Sequence, residues 1–271
     1  MNKYHFFPEE VTNKNGFITI SCTIENPDQT KKQLWYKVPE EYQDDIAATC
    51  DPFVVAVIFK LMKQPAPVMI HGQVSPSLLR NLTEYQNIWQ LWRPNDYHRV
   101  EITGEIEAEI SLENRPERAI SAFSGGVDSC FTVWQHKKGL CGRWQRNIAA
   151  GLMIQGFDIP LSQTNVFKRA FDNSKTMLSS LDIECIPLST NIRQFGQDWL
   201  DSHAAGVASS LMLFQKTYHV GLVPSSEAYD ALVTPWGSHP ITDPLLSNNT
   251  FPIIHDFPKL TQYSRQIQGY N

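Results

Sequence analysis

The densest run of potential chemistry in the chain is Ser124-Gly125-Gly126-Val127-Asp128-Ser129. Gly125 and Gly126 carry no Cβ, so the backbone can turn sharply there and approach a ligand closely. Successive N–H groups in such a turn converge into a nest for an anion. The apolar stretch 119–123 precedes the run and a helical pattern follows it. A helix N-terminus adds unpaired N–H groups and the positive end of its dipole to the same anion. Ser124 and Ser129 contribute hydroxyl donors, and Asp128 orients the loop or holds a Mg2+ beside a phosphate. The same residues also suit a plain turn with an Asp or Ser helix cap. The whole six-residue string between a strand and a helix favours the anion grip. Competing motifs are absent: there is no G-x-x-x-x-G-K-[ST], no G-x-G-x-x-G, and Ala122 breaks G-x-S-x-G at Ser124.

The elements that must position this loop follow from hydrophobic rhythm. Residues 119–123, 148–155, 185–188 and 218–223 read as strands, and 131–138, 164–181 and 199–215 as helices. Val166, Phe167, Ala170, Met177, Leu178 and Leu181 form one apolar face of the second helix. This alternation predicts parallel βαβ units with helices on both faces of the sheet. In such sheets ligands bind at the carboxyl ends of the strands, so the candidate sites are 124–129, 156–158, 190–193 and 224–227. Asp158 there reaches a substrate or metal, or is a surface turn acid. Arg193 is placed to hold a phosphate or carboxylate by two parallel bonds. Ser225, Ser226 and Glu227 either touch a ligand or cap a helix. The Pro-rich segment 233–244 is too long for filler; its Ser238, His239 and Asp243 are expected in a substrate pocket, with Asp243 as a second magnesium ligand or a substrate acceptor. His203, among small helical residues, reads as structural. Cys130 at a helix N-terminus is expected to have a lowered thiol pKa.

The first part of the chain has a different texture. Residues 18–24 alternate as a strand, and 45–64 read as a mostly buried helix entered near Asp51-Pro52. Residues 68–70 form a short strand. Ser75 is an N-cap with Pro76 at the first position of a helix to about Trp92, and 100–110 is a half-exposed strand. The charged run 113–118 marks a boundary. The expected architecture is a smaller α+β domain, residues 1–115, followed by an α/β domain with a parallel sheet, residues 116–271.

Composition narrows the class. Hydrophobic residues make up 42% and charged residues 19%, enough apolar matter for a packed core. A net charge of -5 argues against a generic grip on nucleic-acid phosphates, which needs clustered Lys and Arg. The five cysteines are scattered, with no C-x-x-C pair, as in reduced cytosolic proteins; no zinc quartet can be read from them. The longest apolar run, 53–62, contains Lys60 and reads as a buried helix, so neither a signal peptide nor a membrane span is expected. A cytoplasmic location follows.

Phe123 through Ser129 resembles the PP-loop of the ATP pyrophosphatase superfamily, over about residues 119–265. Gly156-Phe157-Asp158, Thr190-Asn191-Ile192-Arg193, Gly237-Ser238-His239-Pro240 and Thr242-Asp243-Pro244-Leu245 turn that resemblance toward the 7-cyano-7-deazaguanine synthase (QueC)-like branch. The resemblance implies an adenine nucleotide α-hydrolase-like, Rossmann-like sheet that binds ATP and Mg2+. Residues Ser124, Gly125, Gly126, Val127, Asp128 and Ser129 would hold the triphosphate. The strand edge with Met153 and Gln155 would meet adenine. Asp128, Arg193 and Asp243 would serve catalysis, and Asp128 and Asp243 the metal. The implied reaction splits ATP into AMP and pyrophosphate while activating a carboxylate or amide of a small-molecule or protein substrate for a nitrogen nucleophile. QueC-type relatives also carry a zinc-binding cysteine cluster, which residues 1–271 lack. That departure favours a second expectation: a catalytically reduced nucleotide-binding subunit of a bacterial anti-phage complex of Qat type, meeting partners through its first domain.

Overall fold

The computed structural model describes residues 2–112, 115–225 and 232–256. Glu113 and Asn114 of the expected boundary, Ser226 and Glu227 of the fourth strand end, and the expected domain beyond residue 256 lie outside the described residues. The first part holds β1 (Tyr4–Pro8), β2 (Thr12–Lys14), β3 (Phe17–Glu25), β4 (Lys31–Pro39), α1 (Asp51–Ala56), α2 (Ile58–Lys63), β5 (Val68–Val74), α3 (Pro76–Trp92) and β6 (Ile102–Glu107). The second holds β7 (Ala119–Ala122), α4 (Val127–Lys137), β8 (Ile148–Gln155), α5 (Thr164–Ser179), β9 (Glu184–Thr190), α6 (Trp199–Met212), β10 (Val220–Pro224) and β11 (Ile253–Asp256).

All these strands join one sheet, in the order β11-β10-β7-β8-β9-β4-β3-β1-β5-β6, with β2 paired to β3. From β7 to β11 every pairing is parallel. The chain moves outward from β7 through β8 to β9, then returns to β10 and β11 on the other side of β7. The direction of travel therefore reverses between β7 and β10. The two parts meet where β4 pairs antiparallel with β9, Tyr36 opposite Thr190 and Lys37 opposite Ser189.

Strand alternation divides the core into two layers. Ile120, Leu152, Ile186 and Leu188 share a cluster with residues of α1, α2, α3 and α6, while Ala119, Met153, Cys185 and Leu222 pack with residues of α4 and α5. Within α5, Phe167 and Leu178 are buried, but Val166 and Met177 are exposed; the apolar stripe is narrower than its sequence suggests. The 45–64 segment helixes only from Asp51, entered through Pro52 and offset at Val57. Ser75 does stand extended before α3, but its hydroxyl does not cap that helix. It donates instead to Asp51 Oδ2 at 2.6 Å.

Asp51 is fully buried. It also accepts from Ser75 N–H at 2.8 Å and from Asn248 Nδ2 at 2.8 Å. It thus binds the start of α1 to the β5–α3 junction and to the segment leading into β11. Burial pushes its carboxyl pKa up, against the hydrogen bonds from Ser75 and Asn248. Asp51→Ala strands three buried donors at once. We predict a loss of about 2–4 kcal/mol in urea denaturation; a change within error would show that the junction is held by packing alone.

Candidate nucleotide site

The residues 123–126 leave β7 and enter α4 within four positions, so the loop is short; Phe123 is buried, and Ser124, Gly125 and Gly126 are exposed. Gly125 has φ +76°, a left-handed conformation that an L side chain rarely adopts. A Cβ there would also lie 3.1 Å from Ser174 Oγ. Ser124 N–H donates to Ser129 Oγ at 3.3 Å, Gly126 N–H donates to Ser124 Oγ at 3.2 Å, and Ser129 Oγ donates to the Gly126 carbonyl at 3.0 Å. These bonds fold the loop on itself without covering it. The helix starts earlier than its apolar pattern suggests, at Val127, which is 39% exposed. Cys130 N–H makes the first i→i−4 bond, to Gly126, so α4 offers no intrahelical carbonyl to the N–H groups ahead of it.

The helix is fixed from below. Asp256, on β11, accepts from Thr132 Oγ1 at 2.7 Å, Gln135 Nε2 at 2.8 Å and His136 Nε2 at 3.0 Å. His136 Nδ1 accepts from Arg146 N–H at 3.0 Å, which places the ring proton on Nε2, toward Asp256.

Beside the loop lies a cavity of about 310 Å3. Ser124, Asp128 and Ser129 line one end of it. Leu152, Met153 and Ile154 of β8 and Val223 of β10 form its apolar wall, with Phe157 and Asp158 after β8, Trp199, His203 and Val207 from α6, and Ser238. It sits at the carboxyl ends of β7, β8 and β10, where the strand order reverses, which is where α/β sheets bind ligands. Its volume falls at the lower end of the ~300–1,000 Å3 typical of small-molecule sites. Two other cavities, of about 350 and 850 Å3, lie in the first part of the chain, away from these strand ends and from the exposed N-terminus of α4.

The expected site residues separate into two groups. Ser124, Asp128, Ser129 and Met153 line the cavity; Gly125, Gly126 and Val127 belong to the same loop and are exposed but are not among the lining residues. Gln155, Arg193 and Asp243 do not line it. Gln155 Nε2 donates to the Pro160 and Leu161 carbonyls at 3.4 and 3.3 Å, and its Oε1 accepts from Ser189 Oγ at 3.2 Å. Arg193 lies 4.9 Å over the Trp199 ring and donates from Nη1 to the Phe157 carbonyl at 3.1 Å. It braces the wall from behind. Asp243 is fully buried. Its Oδ2 accepts from Ser238 Oγ and His255 Nδ1, both at 2.7 Å, and its Oδ1 from His239 N–H at 3.0 Å. A metal at Asp243 would have to displace those donors. Among the described residues, no group of three or more His, Cys, Asp or Glu is arranged to hold a metal ion. Cys130 also departs from expectation: burial raises its thiol pKa, outweighing the hydrogen bond from Ser129.

Trp199, Val207 and Val223 escape sequence reasoning because their type is ordinary, whereas Phe157 falls within the expected 156–158 strand end. Phe157 and Trp199 pack at 4.6 Å, and Trp199 and Trp236 bracket His203 at 6.4 and 5.7 Å. Among the described residues, no Lys or Arg lines the cavity, so of these residues the loop's backbone N–H groups and the α4 dipole, with a bound cation, would meet phosphate charge there. Asp128 is the carboxylate beside the loop; one carboxylate together with phosphate oxygens is a usual Mg2+ ligand set.

Comparison with known proteins adds no identity: no family model, no curated protein and no solved structure matches the chain. Among the described residues, no helix is long and apolar enough to cross a membrane.

The Phe157–Asp158 rim depends on one close approach. Gly156 has φ +103°, and a Cβ there would collide with the Thr190 carbonyl oxygen. Gly156→Ala must push β8 and β9 apart at their ends. It should lower stability by about 2 kcal/mol or more in chemical denaturation; a neutral substitution would refute the close packing of that turn.

Proposed function

We propose that this chain binds ATP across the ends of β7, β8 and β10, with the triphosphate on residues 124–129 and the base against Met153 and Val223. The observation that carries the reading is the S-G-G-V-D-S loop, exposed over residues 124–127, turned at Gly125 and opening α4, beside a mostly apolar cavity at the reversal of strand order. Numbered from β7, that order is 3-2-1-4-5, which supports a Rossmann-like sheet of the adenine nucleotide α-hydrolase-like type. With the resemblance of the loop, it supports a place near the QueC-like PP-loop proteins.

The reaction that fits is cleavage of ATP to AMP and pyrophosphate. A loop that nests the β and γ phosphates stabilises charge on departing pyrophosphate and leaves the α-phosphate toward the strand ends. A carboxylate or amide oxygen attacks that phosphorus, and a nitrogen nucleophile then displaces AMP. Mg2+ held by Asp128 supplies charge neutralisation when bound. Ser124 and Ser129 orient the loop, and the apolar wall excludes water from the base. Arg193 and Asp243 support the cavity walls instead of touching substrate. A soluble cytoplasmic ligase acting on a small molecule or a protein is the corresponding setting.

A second reading rests on a specific observation. Both side chains expected to meet substrate and metal, Arg193 and Asp243, are engaged within the protein. That favours a catalytically reduced nucleotide-binding subunit of an anti-phage complex. Its partner surface would be the outer face of β1, β3, β5 and β6. There His5, Phe7 and His71 stack and Glu105 meets His71 Nδ1 at 2.7 Å.

Two measurements test these readings. Ser124→Ala and Asp128→Ala should each weaken ATP·Mg2+ binding about tenfold, or ~1.4 kcal/mol, by calorimetry, with thermal unfolding retained; equal affinities would remove the loop from binding. With radiolabelled ATP and cell extract as substrate source, the products should be AMP and pyrophosphate. ADP would contradict the mechanism, and tight binding without turnover would favour the second reading.

A further inference from the structure

Among the described residues, His203 is the one imidazole lining the cavity, and the structure fixes which of its nitrogens faces where. Nδ1 lies 3.2 Å from both the Trp199 and the Leu200 carbonyl oxygens. Carbonyls only accept, so Nδ1 carries the proton and Nε2 of the neutral ring keeps its lone pair. The ring is also held from the side. Gly237 packs against it so closely that a Cβ there would lie 2.5 Å from Nδ1 and 2.6 Å from Cε1. Gly237 N–H is itself tied to the Leu200 carbonyl at 3.1 Å. Trp236 packs edge-on to the ring at 5.7 Å. The Nδ1–Cε1 edge is therefore closed by the helix carbonyls and the 237 backbone, leaving the Nε2–Cδ2 edge to the cavity.

We infer that His203 Nε2 is the general base for the nitrogen nucleophile that attacks the adenylated substrate. This role rests on the ATP reading above. In the step, the nucleophile's nitrogen forms a C–N bond to the acyl carbon, and the C–O bond to AMP breaks with its electron pair leaving on AMP. The proton lost by nitrogen passes to Nε2 and from there to water. A base oriented by backbone hydrogen bonds through its other nitrogen has the arrangement that proton abstraction needs. Gly237 is a positioning residue in this scheme: it permits the close approach that locks the ring.

The test uses the full chain and His203→Gln. Imidazole 15N NMR, with the variant identifying the resonance, should show the Nδ1–H tautomer and a shift of Nε2 when ATP and Mg2+ are added. AMP release is then measured with ammonia and with hydroxylamine, which attacks acyl adenylates without a base, using cell extract as the acyl source. His203→Gln should slow the ammonia reaction about 10²–10⁴-fold and spare the hydroxylamine reaction. Equal slowing of both, slowing of neither, or an Nε2–H tautomer would overturn the role while leaving ATP cleavage standing. If the wild type neither binds nor splits ATP, the nucleotide reading falls, and this role with it, whatever the tautomer.

Discussion

The position of β7 governs the rest of the molecule. It is flanked by β8 on one side and β10 on the other. The connection from β7 to β8 runs through α4 on one face of the sheet, and the return to β10 comes through α6 on the other. Two crossovers that leave on opposite faces cannot close over the same strand ends. A gap therefore opens above β7, and the loop rooted in that strand is the part of the backbone that looks into it. The shape of the cavity follows from this constraint. β8 and β10 give its apolar wall, α6 gives Trp199 and His203, and the segment after β10 gives Ser238.

Three buried aspartates then hold the parts around that gap. Asp256 fixes α4, and so the aim of its N-terminus. Asp243 fixes Ser238 and His239 against His255 of β11. Asp51 joins the first part of the chain to the segment leading into β11. Asp51 and Asp243 each take donors from two segments, and Asp256 takes three from α4 while it is itself on β11. A buried carboxylate is stabilising only when its donors are all in place, so each works as a check on how the segments meet.

The part of this that the sequence displays is local. The alternation of strands and helices from 119 onward and the two glycines of the loop are short-range signals, and they position the site. The glycine at 125 is needed for its positive φ, as the string suggests. What is hidden is pairing over distance. Nothing within 31–39 announces that β4 will meet β9 some 150 residues later, which joins both parts into one sheet. The same limit explains Arg193 and Asp243. Their types and their places in strand-end and loop segments suit a ligand, but Asp243 finds its partner at His255 on β11, and Arg193 finds Trp199 and the Phe157 carbonyl. His203 is the reverse case. Its small-residue surroundings read as plain helix packing until the folded chain brings Gly237 against the ring.

A crystal of the chain soaked with ATP and Mg2+ tests the central claim most directly. The account predicts phosphate oxygens within hydrogen-bonding distance of the backbone N–H groups of residues 125–129, with the base against Met153 and Val223. Nucleotide bound elsewhere, such as the polar groove of Arg80 and Arg99 between α3 and β6, with the 124–129 loop untouched, would contradict it.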